Sequence, residues 1–424
     1  MTLRQASNDA EQANGLRGWQ LGVLAAGTFT LGVDGFVLSG LLPAISHDLS
    51  VSMSTAGQLT TIFAVTYAVG SPIIATITGH WDRRVLLGGG FALFLLGMAA
   101  QALAPSYAVM AAGRTGAALG AAAFQSNAYV MAGMLASPAR RGRALAAVTA
   151  GTSLSTVLGV PFGVLLGQWV GWRSVLWIIA GLAAITAACV PTLPRAFVPP
   201  TRMRTRLGVL TRPSVLMVLL ATVVIVAPPI LLISYLPAVL GMARADGTNA
   251  HLVIILLAFG VGSLIGNRLV GRLVDSRGAV PVLTVGVAGL AGLFAVLVAA
   301  REWYGAALAV LLAIGMFQGL SITPQQHRLF IVAPDVATVA LGLNGSAIYL
   351  GAALGAAFGG VALDVGGAGA VPATAAVLAA AGLALIVTTA PERRLRAAAA
   401  PVAPVAPVAP VEGATPTAAG AASP

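Results

Sequence analysis

Asp34, in Leu31-Gly-Val-Asp-Gly-Phe-Val, is the one residue among the chain's 12 acids that falls well inside a long apolar run. Such an acid costs roughly 2.5–3.5 kcal/mol on insertion scales and ordinarily faces a polar cavity. Hydrocarbon disfavours the charged form of a carboxyl group, so an acid placed there is suited to bind and release a proton near physiological pH. Arg114, in Met110-Ala-Ala-Gly-Arg-Thr-Gly, is the one mid-span base. Asp34 lies nine residues before Pro43 at the outer end of the first apolar run, and Arg114 seven residues beyond Tyr107 at the outer end of the fourth. At about 1.5 Å per residue both sit roughly 10–14 Å below the outer surface, so they can pair directly, or through a water or a substrate. The plainer alternative is a static ion pair that holds two helices together.

Tyr67, Gln125, Asn127, Tyr235, Gln318 and Asn344 are further polar side chains within apolar runs and could line a central cavity. Each could equally join helices by hydrogen bonds. Pro228-Pro229 and Pro237 are expected to break the seventh helix near a binding site. Gly151, Ser155, Gly159, Gly163 and Gly167, with Pro161 among them, place a small residue every four positions along the fifth run. This spacing makes one smooth helix face, where another backbone can approach closely.

Two polar breaks resemble each other: Gly79-His-Trp-Asp82-Arg83-Arg84, and Gly271-Arg-Leu-Val-Asp275-Ser-Arg277-Gly278. The glycines permit tight turns, and the aspartates can accept hydrogen bonds from helix N-termini or arginines. Such a cluster could latch the inner helix ends in one state and release them in another. Control of topology by the arginines alone is the simpler use.

Other chemistry is excluded or unsupported. The chain has no Lys, so the Gly-x-x-x-x-Gly-Lys-Ser/Thr phosphate loop is impossible and ATP does not drive the protein directly. The lone Cys189 forms no internal disulfide, and His47, His80, His251 and His327 show no metal-ligand spacing. No catalytic triad stands out, so we expect neither an enzyme nor a cofactor. The net charge of +11 comes from arginines clustered between apolar runs, a pattern of membrane topology and not of nucleic-acid binding.

The elements that position these residues follow from composition. Of 424 residues, 58% are apolar and 8% charged, so a water-facing surface cannot be assembled and the outside must face lipid. Runs long enough to span, roughly 20 residues each, give twelve expected helices: 19–43, 56–78, 85–104, 107–136, 143–168, 173–193, 214–240, 250–270, 280–300, 304–325, 337–362 and 371–390. With the N-terminus inside, 19 of the 23 arginines fall on cytoplasmic segments and only Arg173, Arg244 and Arg301 on outer loops. Both termini are therefore expected in the cytoplasm. The fold class is all-α and polytopic. A cytoplasmic segment, 1–18, precedes a six-helix half at 19–193, and a basic linker at 194–213 leads to a second half at 214–390. The Ala-Pro-Val repeats of 391–424 read as a solvated tail. The first apolar run is long enough to stay in the membrane, not to serve as a cleaved leader.

Gly159, Gly163 and Gly167 recur as Gly351, Gly355 and Gly359, and Gly79 as Gly271, each displaced by 192 residues. Repeated six-helix halves are a known transporter plan. On these motifs the chain resembles the major facilitator superfamily across about residues 16–392. Gly79–Arg84 is similar to that superfamily's loop between helices two and three, shortened by its second Gly-Arg-Lys portion, and 271–278 is closer to pattern. Arg114 with Gly116 and Gly120 resembles its fourth-helix motif for proton coupling. Gly151 through Gly167 with Pro161 resembles the fifth-helix motif of drug/proton antiporters. Asp34-Gly-Phe-Val-Leu-Ser-Gly-Leu-Leu-Pro, Gly159-Val-Pro-Phe-Gly, Gly171-Trp-Arg, Pro324-Gln-Gln-His-Arg and Leu354-Gly-Ala-Ala-Phe-Gly-Gly are similar to bacterial arabinose-efflux and chloramphenicol-efflux permeases.

The resemblance implies a monomeric inner-membrane exporter that exchanges a small solute for protons, its partners being the bilayer, the solute and the proton gradient. A sugar or metabolite exporter on the same scaffold is the first alternative. An uptake symporter is disfavoured by the fifth-helix motif. A non-transporting sensor would need a signalling domain that this sequence does not supply.

Overall fold

In lipid every backbone N–H and C=O must be bonded within the protein, which leaves helices as the economical solution for apolar runs of this length. The computed structural model describes residues 18–136, 141–197, 203–240, 250–333 and 336–389. The arginines expected at 4, 17, 140, 202, 244 and 393–396, and the Ala-Pro-Val tail, lie outside the described residues. Regular structure among the described residues is helical: α1 (Gly18–Asp48), α2 (Met53–Ile77), α3 (Arg83–Ala102), α4 (Tyr107–Leu135) and α5 (Arg141–Leu154). A π-helical turn (Ser155–Gly159) then leads into α6 (Val160–Cys189). A short α7 (Met203–Leu210) lies in the expected linker. It is followed by α8 (Pro213–Val239), α9 (Ala250–Arg277), α10 (Ala279–Ala300), α11 (Tyr304–Gly319), α12 (Ile322–Val332) and α13 (Ala337–Thr389).

Every expected span has a helix at its place. Among the described residues, eight helices are individually long and apolar enough to cross a membrane, and the two limbs of α1, taken as one span, make a ninth. Some of these hold parts of two spans. α6 is broken at Gly171 (φ 79°) and α13 at Gly367 (φ 68°), each between two expected spans. Glycine tolerates that left-handed backbone, where a Cβ would be strained. Large apolar side chains such as Ile77, Leu96, Trp169 and Val377 stand exposed on the outside, as a lipid-facing surface requires. The chain is a multi-pass membrane protein.

Polar sequence marked the edge of the apolar zone, not the end of the helix. α1 therefore runs past Pro43 to Asp48, and α9 runs past 270 to Arg277. Gly271 thus lies inside a helix and opens no loop; the turn is made at Gly278, with φ 87°. Asp275 and Arg277 are exposed on the last turns of α9. Gly79 does lie in a turn, between α2 and α3. The Pro228-Pro229 pair leaves α8 unbroken; its one non-helical position is Tyr235, two residues before Pro237. Proline disfavours helical geometry in the residues that precede it, which accounts for a bend there.

The fifth-helix stripe packs on α1. A Cβ at Gly151 would meet Ala25 and Thr28, and one at Gly159, Gly163 or Gly167 would meet Val33, Val37 or Leu41 in turn. The second set does the same work on α8. Gly351 faces Val223 and Val226, Gly355 faces Ala227, and Gly359 faces Leu231 and Tyr235. The 192-residue repeat is therefore a repeated helix contact, in which absent side chains let backbones close up.

α3 and α4 make the same kind of approach, since a Cβ on Gly97 would lie 2.7 Å from the Gly113 carbonyl oxygen and 2.8 Å from Ala117 Cα. Gly89, on the same helix, has open space. Gly97→Ala should destabilise the protein by about 1–3 kcal/mol, whereas Gly89→Ala should be neutral or stabilising by up to ~1 kcal/mol. Thermal unfolding in detergent checks both.

Candidate transport site

α1 and α4 bring the intramembrane acid and base together. An Arg114 Nη lies 2.6 Å from Asp34 Oδ1, and the other Nη is 3.4 Å from the Asp34 carbonyl oxygen. Both side chains are fully buried. The guanidinium also lies over the ring of Phe63 on α2, 4.3 Å from its centroid, where the negative ring face attracts the cation. Asp34 Oδ2 and Arg114 Nε have no hydrogen-bond partner among the described residues. The pair is thus joined through one carboxylate oxygen and the Asp34 carbonyl, with the second carboxylate oxygen and the Arg114 Nε left over. Removing one member of such a pair leaves the other charge buried and uncompensated.

α5 reaches this site through its π-helical turn. A Cβ on Gly32 would sit 2.9 Å from Ser155 Cβ, and Gly159 abuts Val33, so the turn flanks Asp34 on α1. π-turns inside helices recur at functional sites because they re-aim side chains.

An aromatic cluster adjoins the pair. Tyr67 of α2 stacks on Tyr349 of α13 with centroids 3.6 Å apart and planes at 22°. Phe63 lies 6.4 Å from Tyr67 and 6.3 Å from Tyr349. The Tyr349 hydroxyl donates to Gln125 Oε1 of α4 at 3.4 Å. Of the cavity candidates, Tyr67 and Gln125 therefore gather beside the ion pair. Sequence reasoning missed Phe63 and Tyr349. The criterion that selected Tyr67, a polar aromatic within a span, applies equally to Tyr349; Phe63 carried no signal among 13 phenylalanines.

The other candidates go elsewhere. Asn127 Oδ1 accepts from Arg83 at 3.1 Å and its amide donates to the Ala123 carbonyl. It serves the α2–α3 turn and not the pair, because four residues along α4 from Ala123 is one turn farther from Arg114. Tyr235 is buried and donates to the Ala356 carbonyl at 3.0 Å, its ring wedged between Gly57 and Gly359–Gly360. Asn344 accepts from Thr222 at 2.8 Å, tying α13 to α8. Gln318 on α11 has its Oε1 buried without a hydrogen-bond partner among the described residues. A buried base absent from our expectations is Arg328 of α12, which donates to Gln325 Oε1 at 3.0 Å. The expected span ending at 325 puts Arg328 just beyond it on the cytoplasmic side; packing buries Arg328 together with Pro324 and Gln325, while Gln326 and His327 stay exposed.

At the α2–α3 turn, Asp82 caps α3 by accepting from Arg84 N at 3.0 Å and also from Ala196 N at 3.2 Å. Arg83 is buried and donates to the Gly79 carbonyl as well as to Asn127, while Arg84 donates to the Pro191 carbonyl. These bonds fasten the turn to α4 and to the segment that follows α6, all within 18–197. At the opposite end, Asp48 accepts from Arg173 and from Trp172 Nε1, and Arg173 donates to the Ala104 carbonyl. Asp48 lies beyond the expected first span, and the Arg173 hydrogen bond holds its carboxyl below the usual carboxylate range.

Asn127→Ala should remove an acceptor from the buried Arg83 and cost roughly 1–3 kcal/mol of stability, with solute affinity unchanged; thermal unfolding and equilibrium binding read the two. The depressed Asp48 carboxyl contributes stability that is present above the unfolded value, ~4, and lost as pH falls through the lower folded value. Wild type should therefore lose thermal stability in acid more steeply than Asp48→Asn, as an unfolding series at descending pH would show.

Comparison with known proteins agrees with this architecture. The Major Facilitator Superfamily profile matches residues 24–356. The inner membrane transport protein YdhP of Escherichia coli (strain K12) is 33% identical over 374 residues, covering 86% of this chain and 93% of its own. A chloramphenicol resistance protein of Streptomyces lividans is 34% identical over 275 residues, 63% of this chain and 69% of that one. The MFS-type transporter YbcL of Bacillus subtilis (strain 168) is 31% identical over 350 residues, 82% and 89% of the two chains. Among solved structures, a mutant of the nucleoside transporter NupG superposes with TM-score 0.71 over 87% of this chain and 98% of its own, at 11% identity, a likeness of fold alone. With twelve-span patterning, repeated halves and this coverage, the chain belongs to the major facilitator superfamily of transporters.

Proposed function

We propose that this transporter exports a small molecule from a bacterial cytoplasm in exchange for protons, as a monomer in the inner membrane with both termini inside. The observation that carries the reading is the buried Asp34–Arg114 pair, whose second carboxylate oxygen and Nε are unpartnered among the described residues. The unprotonated Asp34, through that Oδ2, offers the solute an acceptor and the Arg114 Nε a donor, and a proton taken up from outside neutralises the carboxylate and weakens its hold on the solute. Loss of that proton to the cytoplasm restores the pair. Proton and solute need only compete for the same two side chains for their fluxes to be coupled.

Alternating access supplies the sidedness, as the halves rock about a site near the mid-plane. The small-residue contact of α5 on α1 supports export, since that contact seats the π-turn beside Asp34. The chloramphenicol resistance of a relative and the inner-membrane name of another are consistent with drug efflux from that compartment. A sugar or metabolite exporter would use the same pair with a different lining.

In proteoliposomes with an imposed pH gradient, Asp34→Asn should reduce gradient-driven export to the level of empty vesicles. Asp34→Glu, which keeps a titrating group, should retain part of it. Normal gradient-driven export by a folded Asp34→Asn protein would remove this residue from the coupling.

A further inference from the structure

The Tyr67–Tyr349 stack joins an α2 that belongs to the first expected half to an α13 that belongs to the second. It sits beside the ion pair through Phe63, which contacts both rings and carries Arg114 on its face. Around it the described contacts between these helices include one long hydroxyl bond, and the ring of Tyr235 from α8 lies between them. Thr61 donates to the Ala353 carbonyl at 3.4 Å, and Gly57 and Gly360 border the Tyr235 ring. Stacked rings separated by one ring thickness have a property that these neighbours lack. When the seam opens, they part to leave two flat faces of matching shape with nothing between them.

We infer that these faces are the subsite for a planar aromatic ring of the transported solute, with Tyr349 and Tyr67 as its specificity-determining walls. The inference rests on the transport reading above and deepens it by naming a substrate class. A conjugated ring that slides between the tyrosines recovers the face-on ring contact each loses, whereas a saturated ring of equal volume is too thick and offers no π-face. Gln125 supplies the polar edge. Its Oε1, which accepts from Tyr349 while the rings are stacked, becomes available with the rest of the amide to a hydrogen-bonding substituent once they part. Arg114, over Phe63, is positioned at the other edge for an acceptor group. The class is therefore a flat aromatic ring that bears at least one uncharged hydrogen-bonding substituent.

The test is equilibrium binding to the full-length protein in detergent at one fixed pH, so that no gradient is involved. The probes are 2-naphthamide, its ring-saturated decahydro counterpart and chloramphenicol, whose nitrophenyl ring is flat. Wild type should bind the naphthamide roughly 3- to 10-fold more tightly than the saturated probe, the span expected of one or two aromatic contacts. Tyr349→Leu and Tyr67→Leu should each erase that preference, and Tyr349→Phe should keep it. The wild-type comparison needs no variant to fold. Equal affinity for the flat and saturated probes, binding of neither naphthamide nor chloramphenicol, or an unchanged preference in folded Tyr349→Leu would each overturn the inference. Because no gradient is used, failure here leaves the proton-coupling test of Asp34→Asn independent, and failure of that test leaves this one standing.

Discussion

A carboxylate that has left water must find a cation, a proton or a cavity, because hydrocarbon offers no other solvation. Asp34 meets that requirement through Arg114, and much of the first half is arranged to let it do so. α1 and α4 must approach closely enough for a 2.6 Å contact. Phe63 of α2 covers the guanidinium, and the turn at Ser155–Gly159 presses on Gly32 and Val33, just before Asp34 on α1. A buried pair of this kind gains little over an apolar contact of the same shape, since desolvation offsets most of the attraction. Its retention in the centre of a helix bundle is therefore better explained by what the pair can exchange than by what it stabilises.

Stability comes from elsewhere. Lipid is as apolar as leucine, so helices in a membrane associate through close packing and buried hydrogen bonds. The stripes Gly151–Gly167 and Gly351–Gly359 supply the packing twice, on α1 and on α8, and Gly97 with Gly113 does so between α3 and α4. Side-chain bonds such as Asn344 with Thr222 and Arg83 with Asn127 fix neighbouring helices in register. The region between α2 and α13 is different in kind. There the contacts seen among the described residues include a ring stack, one long hydroxyl bond and glycines against a tyrosine, with no ion pair among them.

The turn at Gly79–Arg84 is held by the local chemistry its residue types suggest. Asp82 and Arg83 do accept and donate the bonds their types suggest. Their partners are Ala196, Gly79 and Asn127, so the network anchors the first half and the start of the linker. The corresponding residues Asp275 and Arg277 ride on an uninterrupted helix and are exposed.

What the amino-acid order determined by itself was whatever depends on the cost of leaving water. The apolar runs, their number and places, the isolation of Asp34 and Arg114, and their common depth all follow from transfer energies and helix rise, which are local quantities. The glycine repeat was legible because a missing side chain leaves its mark at a fixed spacing. Which way each helix turns about its axis is not local, and only tertiary packing decided it. Rotation placed Tyr349 against Tyr67 while turning Asn127 toward Arg83, and it buried Arg328, expected just beyond the end of a span. Helix ends were decided the same way, for α9 continues through Gly271 to Gly278 because its backbone bonds persist after its side chains have left the lipid.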